Sequence, residues 1–388
     1  MLDQACSEQT PVATQNEMYA AIELSGVSWL VAIHVPHADK ISRHQIESGN
    51  GTALIDLLDA IRERSERVLG REIAIYSCYE AGFDGFWLHR QLVTAGINNA
   101  VIDPASIQVN RRARRAKTDS LDVEALLRAL MAWRRGEKRV CAMVRVPTVK
   151  EEDDRRISRE REALIKERIR HVNRIKGLLA TQGVRRYEPL RSRRQERLDA
   201  LRTGDGRPLP PRLYAEISRS LRRLELVLEI LREIEIVRDE EAAVSARTNG
   251  VVGRLMMLRS IGPEVATILH GEALHRTFDN RRQVAAYAGL TPSPWSSGTL
   301  QKEQGISKAG NPRLRRTMVE LAWLWLRYQP GSALSDWFRG RVGTLQGRTR
   351  RIAIVAMARK LLIALWRYVE TGVLPAGVEL RAMEEATA

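Results

Sequence analysis

The stretch that decides the fold is MYAAIELSGVSWLVAIHV, residues 18–35. Apolar residues dominate it and Ser25-Gly26 interrupts it with a turn signal, so it predicts one or two β-strands. Outward from it, apolar spacing predicts helix 52–69, strand 72–79, helix 86–95, strand 100–102 and the amphipathic helix 119–134. Strands that alternate with helices predict an α/β domain over residues 18–147.

Beyond this domain the composition becomes basic and helical. Residues 148–250 predict an arm of two long helices, with a break rich in Arg, Gly and Pro over 184–212. Helices flanking such a break predict an antiparallel pair of the coiled-coil type, although two independent bundle helices would have the same pattern.

Residues 251–375 predict a third, mostly helical domain with short helices between Gly, Pro and Ser. Trp323, Trp325 and Trp366 lie on predicted amphipathic helices, so we expect them in the core. Residues 1–17 and 376–388 predict loose tails.

Charge indicates the class of partner. The 388 residues contain 63 Lys and Arg against 47 Asp and Glu, a net charge of +16. This excess favours a polyanionic partner, although a merely basic soluble protein would share it. The three cysteines lack metal-ligand or disulfide spacing, and neither a signal core nor a membrane span is visible. We therefore expect a cytoplasmic protein without a membrane partner.

Four acidic residues form the first candidate site. Glu23 lies in an apolar strand, Glu80 closes another, and Asp119 and Asp122 share one helical face at a helix start. Carboxylates beside apolar residues need a counter-charge, and a pair of Mg²⁺ ions about 4 Å apart would supply it for phosphodiester chemistry. The alternative is that Asp119, Asp122 and Glu80 merely cap helices and turns.

Basic residues near these sites are candidates for nucleic-acid contact. In the first domain they are Arg111, Arg112, Arg114, Arg115 and Lys117, and in the arm Arg168, Arg174 and Lys176. In the third domain they are Lys302, Lys308, Arg313, Arg315 and Arg316. A solvated loop or helix face is the plainer interpretation of each group.

The second candidate site is a serine in the third domain. Residues 284–311, rich in Gly, Ser, Thr and Pro, predict a loop between two helices, and Ser297-Gly298 predicts a tight turn that exposes a hydroxyl. The nearest upstream histidines, His270 and His275, are more than twenty residues away, which argues against a Ser-His-Asp hydrolase. By composition alone the stretch is only a loop.

Just upstream, LRSIGPEVATILHGE, residues 258–272, is similar to the helix-hairpin-helix pattern. A turn at Gly262 would offer backbone N–H groups to a phosphate. A plain packing unit of two helices would look the same.

Several strings together resemble one family over nearly the whole chain. They are Glu-Ala-Gly at a strand end, KTDSLD, AAYAGLTP, SSG and GISKAGN, in that order around a helical arm. The chain is similar to the DEDD transposases of insertion-sequence family one-hundred-and-ten, described as bridge-RNA-guided recombinases. The resemblance implies an RNase H-like (RuvC-like) domain, a coiled-coil and a C-terminal transposase domain.

The resemblance also implies roles for residues and partners. Glu23, Glu80, Asp119 and Asp122 take the metal-ligand positions for Mg²⁺ or Mn²⁺, and Ser297 takes the position of the catalytic serine. DNA, a structured non-coding RNA and further protomers, in a homodimer or homotetramer, are the implied partners. The family usually has Asp where this chain has Glu23, which would shift a ligand oxygen by about 1.5 Å.

The sequence thus predicts a bacterial transposase that exchanges DNA strands through a seryl phosphodiester. One alternative is a RuvC-like nuclease that cuts branched DNA with water and does not need Ser297. The other is a non-catalytic nucleic-acid-binding remnant, which the unusual Glu23 would suit.

Overall fold

The computed structural model of the chain describes residues 16–107, 119–297, 300–344 and 347–381, with the backbone alone for residues 105, 119, 120, 294–297 and 300–304. The predicted basic cluster Arg111, Arg112, Arg114, Arg115 and Lys117, and most of both predicted tails, lie outside these residues. The chain divides into two units, Met1–Thr148 and Val149–Ala388.

The first unit is an α/β domain. Its elements are β1 (Glu17–Glu23), β2 (Ser28–His34), β3 (Ser42–Glu47), α1 (Gly51–Leu69), β4 (Ala74–Glu80), α2 (Trp87–Thr94), β5 (Asn98–Ile102) and α3 (Asp119–Arg134). They form one sheet in the order β3-β2-β1-β4-β5, in which β1, β4 and β5 are parallel and β2 is antiparallel to both β1 and β3. This mixed α/β architecture agrees with the prediction and is compatible with an RNase H-like domain.

Alternating side chains of β1 build two cores. Met18, Ala20 and Ile22 share one apolar cluster with α1 and α2, whereas Tyr19 and Ala21 share the other with α3. Strand residues point alternately to the two faces, so nearly every β1 side chain is buried and the sequence is almost continuously apolar. Strand β3 was not predicted because only one of its residues, Ile46, is buried.

The second unit begins with the arm, which contains α4 (Val149–Asp153), α5 (Arg156–Ala180), α6 (Arg194–Asp199) and α7 (Pro211–Arg247). Arg161 pairs with Glu235 at 2.7 Å and Arg174 with Glu216 at 2.6 Å, so α5 and α7 run antiparallel. The predicted helix pair is therefore present, and the coiled-coil interlocking of its side chains stays a prediction. The predicted break is not entirely irregular, because it contains α6.

The rest of the second unit is mostly helical. It contains α8 (Val251–Met256), α9 (Pro263–Leu269), a π-helical segment His270–Leu274, α10 (Arg281–Tyr287), β6 (Pro292–Ser297), β7 (Leu300–Ile306), α11 (Pro312–Tyr328), α12 (Ala333–Val342) and α13 (Arg348–Thr371). Trp325 is fully buried in its core and Trp366 packs against that core. The prediction was wrong for Trp323, which is 38% exposed and lies edge-on to Phe338.

The prediction of a loop over residues 284–311 was also wrong. Between α10 and α11 the chain forms an antiparallel hairpin of β6 and β7, with Ser297 paired to Leu300. Backbone ladders form independently of side-chain polarity, so Ser, Gln and Lys in these strands concealed them. The usable signal was a pair of residues beginning with Gly, Gly298-Thr299, between two short runs, which is a common hairpin spacing.

Two smaller expectations can be compared with the described residues. Cys78 and Cys141 are free and buried. None of the helices in the described ranges combines the length and the apolar character that crossing a membrane requires.

Candidate active site

Two predicted acidic residues lie side by side at one edge of the sheet. Glu23 and Glu80 are the last residues of β1 and β4, one position beyond the parallel pair Ile22 and Tyr79. Neighbouring strands are about 4.8 Å apart, so the sheet itself fixes the spacing of these two backbone positions. Both residues are half-buried.

The direction of α3 brings a third predicted acidic residue, Asp122 near the beginning of this helix, to the same edge of the sheet. At the end of α3, Arg134 pairs with Glu17 at the start of β1 and stacks over Tyr76 near the start of β4. In its middle, the Leu126 carbonyl lies 3.9 Å from the Cys78 thiol. Helix α3 therefore runs opposite to β1 and β4, and its beginning lies over their carboxyl ends.

Side-chain alternation places these groups on one face. Glu23 follows Ala21 and Glu80 follows Cys78 on the face that α3 covers. Burial raises the pKa of the Cys78 thiol well above its ordinary value, and the charges of Cys141 and Glu80 add to this shift. The charge of Glu80 thus influences a thiol that is buried beneath α3. We call Glu23, Glu80 and Asp122, with Asp119, the acidic edge.

The donor chemistry of the acidic edge fits a hard divalent cation. All four predicted ligands are carboxylates, which suit Mg²⁺ or Mn²⁺. Among the side chains that the structure describes, no three acidic, imidazole or thiol groups are arranged to hold a metal, and the carboxylate of Asp119 is not among those side chains. Two strand ends and one helix start bring the backbone positions of these residues to the same edge of the sheet, and a metal site there stays a prediction.

A cavity of the first unit lies at the opposite edge of the sheet. Its volume is about 360 Å³, and its lining includes Tyr76, Asn98, Trp133 and Arg134. These residues stand at the start of β4 and β5 and at the end of α3. The acidic edge is not part of this cavity.

The second unit holds the predicted serine at the end of a strand. Ser297 is the last residue of β6, and we call β6 and β7 the serine hairpin. At its base, the amide of Ser307 donates to the Thr291 carbonyl at 2.8 Å and that of Lys308 donates to the Gly289 carbonyl at 3.3 Å. The ladder of the hairpin therefore continues into the segments that join it to α10 and α11.

Two glycines close the base of the serine hairpin. Gly289 and Gly310 have φ values of +64° and +104°, and a Cβ atom on Gly310 would lie 2.4 Å from the Tyr287 carbonyl oxygen. Glycine is required here by both backbone conformation and close approach. Next to it, the Asn311 amide donates to the same Tyr287 carbonyl at 2.7 Å.

A buried carboxylate ties this base to the arm. Glu272, only 1% exposed, accepts hydrogen bonds from Arg159 of α5 at 3.1 Å and from the Asn311 side-chain amide at 2.8 Å. A guanidinium nitrogen of Arg313 lies 3.7 Å from a carboxylate oxygen of Glu272. Asn311 also caps α11 by accepting from the amides of Arg313 and Leu314. We call Glu272, Arg159, Asn311 and Arg313 the Glu272 network.

Charge balance inside the Glu272 network follows from its pKa shifts. Burial alone would raise the pKa of Glu272, but hydrogen bonds from Arg159 and Asn311 and the charges of Arg159 and Arg313 lower it below its ordinary value. Burial lowers the pKa of Arg313, against the effect of Glu272 and Glu162. The network is therefore ionised at neutral pH. Sequence inspection missed Glu272, because one acid in the run ILHGEAL gives no sign of its partners.

The predicted basic contacts differ in their present partners. Arg174 pairs with Glu216, Lys176 with Glu188, and Arg316 with Glu162. The side chain of Arg313 is largely buried and has two acidic neighbours, so its position needs no phosphate to explain it.

Three further residues that were predicted to contact nucleic acid form no ion pair among the described side chains. Arg315 donates to the carbonyls of Ala288 and Lys308. Among the described side chains, Arg168 and Lys308 have no ion-pair partner, and Lys308 is exposed on a left-handed backbone with φ of 58°. The side chain of Lys302 lies outside the described part of the chain.

Gly262 stands between α8 and α9 and precedes Pro263 at the start of α9, and the helix-hairpin-helix element itself stays a prediction. Glu264 in the first turn of α9 pairs with Arg161 and Arg238 of the arm. A role of this turn in DNA binding stays a prediction.

Comparison with known proteins connects these features to a family. The sequence pattern described as "Transposase IS116/IS110/IS902 family" matches residues 252–335, which include the serine hairpin and Glu272. The chain is 50% identical over 374 residues to "Putative transposase y4rJ" of Sinorhizobium fredii, covering 94% of each chain. It is 26% identical over 284 residues to "Transposase for insertion sequence element IS1111A" of Coxiella burnetii, covering 72% of this chain and 73% of that one.

The first relative covers both units, and the family pattern falls on the segment that carries Ser297. These similarities show that the chain belongs to the IS116/IS110/IS902 family of insertion-sequence transposases.

Proposed function

We propose that this transposase exchanges DNA strands by transesterification through Ser297, with divalent metal held at the acidic edge. The observation that carries the proposal is the placement of Glu23 and Glu80 at the ends of adjacent parallel strands, under the beginning of α3. Carboxylates at one edge of a sheet suit phosphoryl transfer, because they can hold the metal ions that this chemistry uses. The nucleophile is the hydroxyl of Ser297 at the end of β6.

The covalent chemistry conserves bond energy. The Ser297 oxygen attacks a DNA phosphorus and forms a P–O bond, while the bond from that phosphorus to a deoxyribose oxygen breaks. The serine loses its proton and the departing oxygen gains one. A deoxyribose hydroxyl of a second strand then reverses these steps and releases the serine, so no ATP is consumed.

The carboxylates and basic residues have distinct tasks. Glu23, Glu80, Asp119 and Asp122 would hold Mg²⁺ or Mn²⁺, which when bound stabilises negative charge on the reacting phosphate. Arg168 and Lys308 would contact nucleic-acid backbone, together with the cluster 111–117. Ser297 and the acidic edge belong to different units, and we propose that protomers of an oligomer bring them to one phosphate.

Sequence choice by a structured non-coding RNA of the element is part of the same proposal. Base pairing would then select the DNA, while the protein contacts backbone and shape. Removing that RNA from a reconstituted reaction should abolish exchange at the chosen site, and a changed guide segment should redirect it. Exchange that persists at the same site without RNA would contradict this part.

The serine is tested with Ser297→Ala and, as a matched control, Ser296→Ala. Labelled DNA is incubated with each protein, Mg²⁺ and the element's non-coding RNA, and covalent adducts are resolved after denaturation and located by mass spectrometry. We expect Ser297→Ala to lose both adduct and exchange, and Ser296→Ala to retain them. If Ser297→Ala still cuts DNA, the water-dependent nuclease is correct instead. If wild-type protein cuts nothing with Mg²⁺ or Mn²⁺, the chain is a binding remnant.

A further inference from the structure

The acidic edge is bordered by apolar side chains that the chemistry above does not use. Phe83, in the turn after β4, is 107% exposed, and Val27, in the turn after β1, is 84% exposed. These are the two most exposed large apolar side chains in the described ranges. Leu121, beside Asp122 at the start of α3, is 50% exposed. Three elements of the acidic edge therefore each present an apolar group to water.

The turn that carries Phe83 is anchored on both sides. The Ala81 amide continues the sheet by donating to the Ile102 carbonyl at 2.8 Å. The buried Tyr79 hydroxyl donates to the Gly85 carbonyl at 3.2 Å, and Gly85 has a positive φ of 69°. Hydrogen bonds thus fix the backbone on both sides of Phe83, and the turn presents the exposed ring to solvent.

Distance along the chain links this ring to the reacting phosphate. Only two residues lie between Glu80 and Phe83, so the Cα atoms of these two residues are within about 10 Å of each other. A nucleotide whose phosphate lies at the acidic edge would bring its own base or the next one into this range. Bases stack on aromatic side chains, and a base that leaves the DNA helix needs such a surface.

Resting on the proposed function, we propose that Phe83 is a positioning residue that stacks on a DNA base next to the exchanged phosphate. Val27 and Leu121 form the apolar border on the other sides. The stack holds the strand so that its phosphate stays at the carboxylates. Sequence preference is weak at this contact, because every base offers a flat face.

The experiment pairs a protein change with a DNA change. Phe83→Ala, Phe83→Trp and Val68→Ala are made in the Ser297→Ala background; Val68 is an exposed apolar residue on α1 and serves as the control. Affinity is measured for DNA spanning the mapped exchange site, with the guide RNA if exchange requires it. The same DNA is then used with a single abasic nucleotide at each position near the site.

On intact DNA we expect Phe83→Ala to weaken binding about tenfold, with Phe83→Trp and Val68→Ala within about twofold of the parent. At one abasic position the difference between the parent and the Phe83→Ala protein should disappear, because the base that the ring contacts is gone. A general structural defect would not depend on the abasic position. Unchanged melting of Phe83→Ala provides a second check, since the ring is fully exposed in the described part of the chain.

Equal binding of Phe83→Ala and its parent on intact DNA would overturn the inference, as would a loss that is the same at every abasic position. A loss that follows abasic sites in the RNA and not in the DNA would also overturn it. Failure of the serine mechanism would instead appear as cutting by the Ser297→Ala parent, which leaves the comparison at the binding step readable.

Discussion

The acidic edge and the serine hairpin reach their positions by different means. Glu23 and Glu80 end strands in the middle of a sheet, so buried apolar neighbours on both faces fix their places. The serine hairpin is a two-stranded ribbon, and its base is fixed by close backbone contacts and the buried Glu272. Changes at the acidic edge should therefore affect chemistry, whereas changes at the hairpin base should affect local stability first.

The largest expected effect separates chemistry from folding. Glu80→Gln keeps the shape of the side chain but removes its charge, and we expect strand exchange to fall about a thousandfold, or about 4 kcal/mol in the barrier. The free energy of unfolding should change by less than about 1 kcal/mol, because Glu80 is a strand-end residue and not part of either apolar cluster. Exchange assays and urea unfolding measure the two quantities.

Glu47→Gln is the control, since Glu47 ends β3 and is exposed. We expect it to keep nearly full exchange activity. If Glu80→Gln retained more than a tenth of wild-type activity, the acidic edge would not hold a catalytic metal.

The next effect concerns the Glu272 network. Glu272→Gln leaves Arg159 and Arg313 without their buried counter-charge, and we expect a loss of about 3 kcal/mol in the stability of the second unit. Glu216→Gln, which breaks the exposed pair with Arg174, should cost less than about 1 kcal/mol. Equal losses in the two variants would contradict the assigned importance of burial.

The same variant should alter the pH dependence of unfolding. The folded-state pKa of Glu272 lies below its ordinary value of 4.5. Its contribution is therefore complete above about pH 4.5 and is lost as pH falls through the lower folded value. Unfolding followed between neutral and acid pH should show a shallower decline in Glu272→Gln than in the wild type.

The smallest effect tests the base of the serine hairpin. Gly310→Ala places a Cβ atom 2.4 Å from the Tyr287 carbonyl oxygen at a φ of +104°, and we expect a cost of about 2 kcal/mol. Gly305→Ala is the matched control, because Gly305 has a φ of +94° but open space around it. Hydrogen exchange at the Lys308 and Asn311 amides should accelerate more in Gly310→Ala. Similar acceleration in both would mean that backbone strain, and not the contact, decides.

The elements of the first unit were predicted well from the sequence, because their buried side chains produce a recognisable pattern of apolar residues. The run 18–35 became β1 and β2, and Glu80 indeed closes β4. Strand β3 was not predicted, since only one of its six residues is buried and its sequence therefore has no hydrophobic periodicity. The serine hairpin escaped because its strands are rich in polar residues, which resemble those of a loop.

The surroundings of the candidate site were harder to predict than its elements. KTDSLD and SSG marked the acidic and serine residues by resemblance, but the partners of Glu272 come from α5 and α11, far apart in sequence. Such long-range ion pairs have no local signature. The exposure of Phe83 was equally hidden, because an aromatic residue in FDGFW suggests a core position and only the anchored turn shows otherwise.

Arg159 and Arg161 have a mechanical consequence for the arm. Both lie near the beginning of the 25-residue helix α5 and contact Glu272 and Glu264, so that end moves with the core of the second unit. The helix is about 37 Å long. A tilt of only about 5° about this fixed end would displace the other end by about 3 Å. A small tilt of α5 at its beginning, beside the base of the serine hairpin, thus corresponds to a larger displacement of its other end near Ala180.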